Sequence, residues 1–382
     1  MDTLPQRRLH VLYALCLLLI ALLNHMTKHN SQFGQGECVS DTEQSVISDN
    51  NAVSRTMPRD ARLDNIRVLA CLLVVLMHSP MPVENANGIF LSGISYITMP
   101  CIGLFFMISG ALLLPVKTDM FSFLKRRLGK IVFPLLIWTA LYLCLNIYNS
   151  ESEINILQNI LSIPFSPQGT GVLWFLYTLT GLYLLAPIIS PWLAQCSRRQ
   201  IELVLVLWAI TLCYPVLGNF VSINTNDTGI LYYFTGYAGY FLLGYYVRHY
   251  RDVLNLKVVL LFGFIGLAAP VFVKLREIEV EFLSVFGYLS IFTVMLCCVY
   301  YRLAYAFKSN RLITFIARYS FGIYLSHILI MRYILWRMPF FEALSPYPFQ
   351  TLVIFSLTFL GALILCRIIA CLPFSAYIIG NK

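Results

Sequence analysis

In the stretch ARLDNIRVLACLLVVLMHSP, residues 61–80, Asp64 and Arg67 stand at one end and His78 follows Arg67 after ten uncharged residues. In a helix, the step from Arg67 to His78 is about three full turns. Both then lie on one face, roughly 16 Å apart, which is about half the thickness of a bilayer's hydrocarbon core. Asp64 sits at i−3 from Arg67, shares that face and can pair with it. An imidazole in such a place can take a proton from a hydroxyl or act as the nucleophile itself, and residue type leaves both open. A guanidinium suits phosphate or carboxylate. At roughly 16 Å it cannot hydrogen-bond the imidazole, and its charge changes the imidazole's energy by only about 1 kcal/mol at an effective dielectric of ~20. Arg67 therefore reads as a pairing or anion-binding residue and not as the group that orients His78. The plainer reading makes Asp64 and Arg67 a topogenic anchor and His78 an interfacial residue before the helix-ending SPMP. Against it, ionisable groups within spans are rare and usually functional.

Further residues of this kind recur along the chain. The run FLKRRLGKIVFPLL, residues 123–136, carries Arg126, Arg127 and Lys130 at helical spacings. These could grip phosphates at a membrane surface, or simply fix topology. In CIGLFFMISGALLL, Ser109-Gly110 permits close helix approach, and packing is the simpler role. Trp174, in GVLWFLYTLTGLYLLAPIIS, is expected near the outer interface, where an aromatic belt accounts for it. The stretch IARYSFGIYLSH carries Tyr324 and His327. His327 lies about 20 Å from the inner start of its helix, a depth similar to that of His78. Nothing in the spacing makes the two meet, and a packing histidine is the plainer reading.

The elements that must position these residues follow from composition. Of 382 residues 59% are hydrophobic and only 12% charged, whereas a soluble domain is about a quarter charged. With a mean hydropathy of +0.74, the surplus apolar surface must face lipid, so an all-α polytopic membrane protein is expected. Ten segments are long and apolar enough to span: 64–82, 92–114, 131–148, 172–193, 201–220, 230–247, 257–275, 282–301, 312–335 and 349–372. The connections between them alternate between basic and acidic or neutral. The positive-inside rule then places both ends of the ten-span core in the cytoplasm, with Arg332 and Arg337 in the ninth loop the one exception. The net charge of +9 is accounted for by these cytoplasmic loops, so nucleic acid is not an expected partner. Nine of the eleven cysteines fall in apolar segments and no CxxC occurs, so no metal site or disulfide framework is expected. Residues 1–56 form an N-terminal extension whose hydrophobic stretch LHVLYALCLLLIALL is short for a span and conflicts with the charge pattern. An interfacial or re-entrant helix, a cleaved signal-like segment or a true start near Met57 would resolve the conflict, and the non-spanning helix or the late start is the preferred reading. The membrane domain is 57–382.

Arg67, ten residues and then His78 resembles the arginine–histidine signature of the acyltransferase family 3 membrane proteins. LDNIRVLACLLVVLMHS resembles that family's first helix, and LFFMISGALLL, FLKRRLGKIVFPLL, LWFLYTLTGLYLLAPII and ARYSFGIYLSH follow in the family's order. The resemblance runs from about residue 59 to 372. It is most similar to the integral-membrane O-acetyltransferases of bacterial surface polysaccharides, of the O-antigen or enterobacterial common antigen type. It implies transfer of an acyl group, usually acetyl from acetyl-CoA, to a hydroxyl of a surface glycan or its lipid-linked precursor. The location it implies is the bacterial inner membrane, with membrane lipid as surroundings and no metal. His78 matches the family's essential histidine and Arg67 its paired arginine. Arg127 and Lys130 match an Arg-x-x-Arg with lysine in the second place, which weakens a bidentate phosphate grip there, and Arg126 is positioned to compensate as a donor-binding residue. Asp64, Ser109, Trp174, Tyr324 and His327 are supporting candidates. The rival class is a glycan flippase or polymerase. A transporter would show repeat symmetry or matched broken helices, and a polymerase could use a large outer loop. Neither feature is visible.

Overall fold

The computed structural model describes residues 60–83, 88–149, 158, 161, 163, 171–220 and 229–380. The N-terminal extension 1–56 and its hydrophobic stretch lie outside the described residues. Among the described residues the chain is helical, with no strand.

The helices that matter for the site are α1 (Arg62–His78), α2 (Gly88–Thr98), α3 (Pro100–Leu113), α4 (Met120–Asn149), α5 (Trp174–Gln195), α6 (Arg198–Phe220), α7 (Ala238–His249), α8 (Leu256–Leu275), α9 (Ile291–Ala306), α10 (Arg311–Tyr333), α11 (Tyr347–Ile369) and the short C-terminal α12 (Ser375–Ile379). Seven helical segments among the described residues are long and apolar enough to cross a membrane: Gly88–Leu113, Met120–Asn149, Gly171–Gln195, Arg198–Gly218, Leu256–Leu275, Arg311–Arg337 and Tyr347–Ile369. The protein is therefore an all-α, multi-pass membrane protein. α8 shows the lipid-facing pattern most plainly: Leu260 is 63% and Phe264 74% exposed, an arrangement water would penalise.

The other three expected spans hold shorter helices. α1 has 17 residues. The segment expected at 230–247 is divided: a 3₁₀ turn at Tyr232–Phe234 and Gly236, with φ +91°, precede a 12-residue α7. A left-handed glycine stops helical hydrogen bonding there. The segment expected at 282–301 is likewise divided into Phe282–Phe286 and α9. Ser290 makes the division, accepting the Phe292 N–H (3.3 Å) and donating to the Val285 carbonyl (2.6 Å). In the opposite sense, α4 is longer than its expected span of 131–148. It starts at Met120, so the basic run forms its first turns and the helix is about 45 Å long.

α1 is the hub, packing against α2, α3, α9, α10 and α11. That explains why it is apolar nearly all round, as a helix enclosed by others must be. α3 and α7 pack most closely: a Cβ at Gly110 would fall 1.7 Å from the Phe241 carbonyl oxygen, and one at Gly244 would fall 1.9 Å from that of Met107. Close backbone approach at small residues is how membrane helices gain contact where no hydrophobic drive exists between them.

Candidate functional site

The site starts from α1. Arg67 Nη1 lies 3.2 Å from Asp64 Oδ1, an i,i+3 ion pair whose carboxylate is buried. Next to it, Asn65 Nδ2 donates to the carbonyls of Ala304 (3.0 Å) and Phe307 (2.8 Å), locking α1 onto the end of α9. Asp64 thus holds Arg67 in place and offsets one positive charge.

Arg67 opens into a cavity of about 350 Å³ enclosed by α1, α3, α4, α5, α10 and the C-terminal turn. Arg127 and Lys130 of α4 and Arg318 of α10 line it as well, with Ser109 and Tyr183 among the polar neighbours. Four cations line it, with one carboxylate paired to Arg67, so among the described residues the cavity is net positive and its chemistry suits an anion. The Ser109 hydroxyl donates to the Phe105 carbonyl at 2.9 Å, leaving its lone pairs as its remaining capacity. The C-terminus closes one wall. Trp138 Nε1 donates to the Ile378 carbonyl at 2.9 Å, which docks α12 on α4, and Gly380 lines the cavity at φ +66°. A Cβ there would meet Phe321 at 2.9 Å, so this corner requires glycine.

Arg126 does not line the cavity. Its Nε bonds to the Ser122 carbonyl (3.2 Å) and its Nη2 to Thr118 Oγ1 (3.1 Å), along the exposed side of α4. Adjacent residues on a helix differ by about 100° in direction, so Arg126 and Arg127 cannot serve one pocket equally. Arg318, which sequence reasoning passed over, takes the fourth place. A signal was available: an arginine two turns inside a helix of spanning length is rare without a role.

Aromatic rings close the far end of the cavity. Phe105 and Phe175 have centroids 5.7 Å apart, and Phe175 meets Tyr324 edge-on at 5.3 Å. The Tyr324 hydroxyl donates to the Val172 carbonyl. Beyond this layer lie the histidines. Tyr324 is 5.9 Å from His327, and His327 is 5.4 Å from His78, centroid to centroid. Neither histidine lines the cavity. The two come from α1 and α10, which pack along their length. His78 is half-buried; His327 is fully buried.

Trp174 is half-buried and packs toward the bundle. Its ring packs on Tyr237 and Tyr288, each at 5.4 Å, and Tyr288 donates to Met77 Sδ at 3.1 Å, one residue before His78. Both partners lie in the breaks before α7 and α9, so the interrupted spans supply the contacts of this ring.

Chemically, the arrangement combines a cationic cavity, a layer of aromatic rings at its end and an imidazole pair on the other side of that layer. Among the described residues no cluster of His, Cys, Asp or Glu could hold a metal. A family model described as an acyltransferase domain matches residues 60–370. No curated protein and no solved structure matches the chain. The chain belongs to the acyltransferase family 3 membrane proteins.

Proposed function

We propose that this membrane acyltransferase moves an acetyl group from cytosolic acetyl-CoA to a hydroxyl of a bacterial surface glycan or its lipid-linked precursor, at the inner membrane. The observation that carries the proposal is the continuity of one helix. α1 bears Arg67 in the cationic cavity and His78 on the other side of the aromatic layer, so a long donor can be gripped at one end and react at the other.

The donor is an anion with several phosphates and a flexible arm ending in a thioester. Its phosphates lie among Arg67, Arg127, Lys130 and Arg318, where charge-assisted hydrogen bonds are strong. Its arm passes Phe105, Phe175 and Tyr324. The acceptor approaches His78 from the opposite side. His78 takes the hydroxyl proton as the oxygen attacks the thioester carbon. The carbon–sulfur bond breaks, the proton passes to the departing sulfur, and an ester and a free thiol result. The cations hold the donor in place while the aromatic rings keep the thioester away from water until the acceptor arrives.

The test is transfer of labelled acetyl from acetyl-CoA to glycan in membranes carrying the protein. Transfer that requires both the protein and an intact His78 supports the reading. Membranes rich in the protein that move glycan across the bilayer yet leave it unacetylated would point to transport instead.

A further inference from the structure

We infer that His327 is a positioning residue for His78: its Nε2 accepts the ring N–H of His78 and so settles which nitrogen of His78 faces the acceptor hydroxyl. The inference rests on the reading above, in which His78 takes the hydroxyl proton.

The orientation of His327 is determined by its neighbour. Its Nδ1 lies 2.6 Å from the Tyr324 carbonyl. A carbonyl only accepts, so Nδ1 carries the hydrogen, and a neutral ring held this way presents a lone pair at Nε2. That Nε2 is buried and has no hydrogen-bond partner. Buried polar atoms almost always have one, so an unpaired acceptor beside the reacting group needs a reason.

His78 is within reach of it. Ring centroids 5.4 Å apart allow a nitrogen–nitrogen distance of roughly 3 Å when the two nitrogens face each other, which is hydrogen-bond length. His327 is fixed and His78 is the half-buried ring, so a modest turn of His78 closes the contact. Catalytic hydrogen bonds commonly tighten only when substrate is bound. The supporting frame is stiff. Tyr142 donates to the Leu325 carbonyl at 2.7 Å, and Cys71 Sγ bonds to the Ser320 carbonyl at 3.7 Å, tying α10 to α4 and α1.

The relay then runs from the Tyr324 carbonyl to His327 Nδ1–H, from His327 Nε2 to the N–H of His78, and from the free nitrogen of His78 to the acceptor hydroxyl. When His78 takes the proton, its other N–H still points at a lone pair, which stabilises the imidazolium until the proton leaves with the thiol. An orienting partner on the far side of a catalytic histidine does this work in other enzymes by setting tautomer and direction.

The test compares His327→Leu with His327→Gln in full-length protein in membranes, at matched abundance, with acetyl-CoA as donor. Leucine fills the space without an acceptor. Glutamine places an amide oxygen near the position of Nε2. His327→Leu should lower kcat on the order of 10–100-fold while both KM values stay within about twofold. His327→Gln should recover at least about a third of the wild-type kcat. Equal kcat in the two variants, at any level, would overturn the inference, as would a raised acceptor KM with normal kcat, which would mean that His327 touches the acceptor. Should either variant insert poorly, kcat is taken per inserted molecule. Absence of acetyl transfer by the wild type, or normal transfer by His78→Ala, would instead overturn the function on which the inference depends.

Discussion

Arg126 and Arg127 are neighbours in the chain, yet only Arg127 lines the cavity, and that contrast gives a sharp test of donor binding. A charge-assisted contact to phosphate is worth about 1.5–3 kcal/mol. Arg127→Ala and Arg318→Ala should each raise the apparent KM for acetyl-CoA by roughly ten- to a hundredfold. Arg126→Ala, which loses only bonds to Ser122 and Thr118, should leave KM within about twofold. Steady-state kinetics at matched membrane abundance checks all three. If Arg126→Ala behaves like Arg127→Ala, the run acts as a diffuse basic surface and the cavity is not the donor site. His78→Ala should lower glycan acetylation by on the order of 10²–10⁴, the usual contribution of a placed base. Arg67→Ala should also be severe, but saturating acetyl-CoA should restore part of its activity and none of that of His78→Ala. Asp64→Ala should be milder, through the loosened hold on Arg67.

Among the elements, the α3–α7 pair is where packing is least forgiving. Gly110 and Gly244 each face a partner's backbone carbonyl, with no side chain to move aside. Gly244→Ala must therefore part the helices, at a cost at or above the upper end of the usual overpacking range of about 1–3 kcal/mol. Thermal unfolding in detergent should register a large drop. Gly263→Ala in α8 is the control: its Cβ would meet only Val299 Cγ2 at 3.8 Å, an ordinary contact. A near-normal melting temperature for Gly244→Ala would show that α7 is not seated against α3 in this way. α7 is also too short to span alone, at about 18 Å, so its place in the bundle depends on this contact.

For the whole molecule, the cationic cavity draws its arginines and lysine from α1, the start of α4 and the start of α10. The alternating loop charge assigns all of these to one side of the membrane. The cavity gathers these cations on one face, which the positive-inside rule expects to be the cytoplasmic one. A reporter active only outside the cytoplasm should be silent when fused after Lys382 and active when inserted near Asn87 or Asn226, positions that lie outside the described residues. An active fusion at Lys382 would break this topology and move α12 away from the face that holds Arg127.

What the chain determined locally, its sequence showed. Apolar runs of span length made it an all-α membrane protein, because hydropathy and helical period are properties of neighbouring residues. The spacing of Asp64, Arg67 and His78 set one face of one helix, and α1 carries the ion pair as that spacing requires. Interruptions were less legible. Gly236 and Ser290 divided two expected spans through backbone conformation and local hydrogen bonds that average hydropathy does not register. Only the tertiary structure decided which side chains meet. Arg318 joined Arg67 and Arg127, Arg126 turned away, Trp174 packed toward the bundle, and His327 came to rest beside His78. Each outcome depends on how far one helix is rotated and shifted against another. That is settled by small-residue contacts and hydrogen bonds between segments remote in the chain, and no local pattern encodes it.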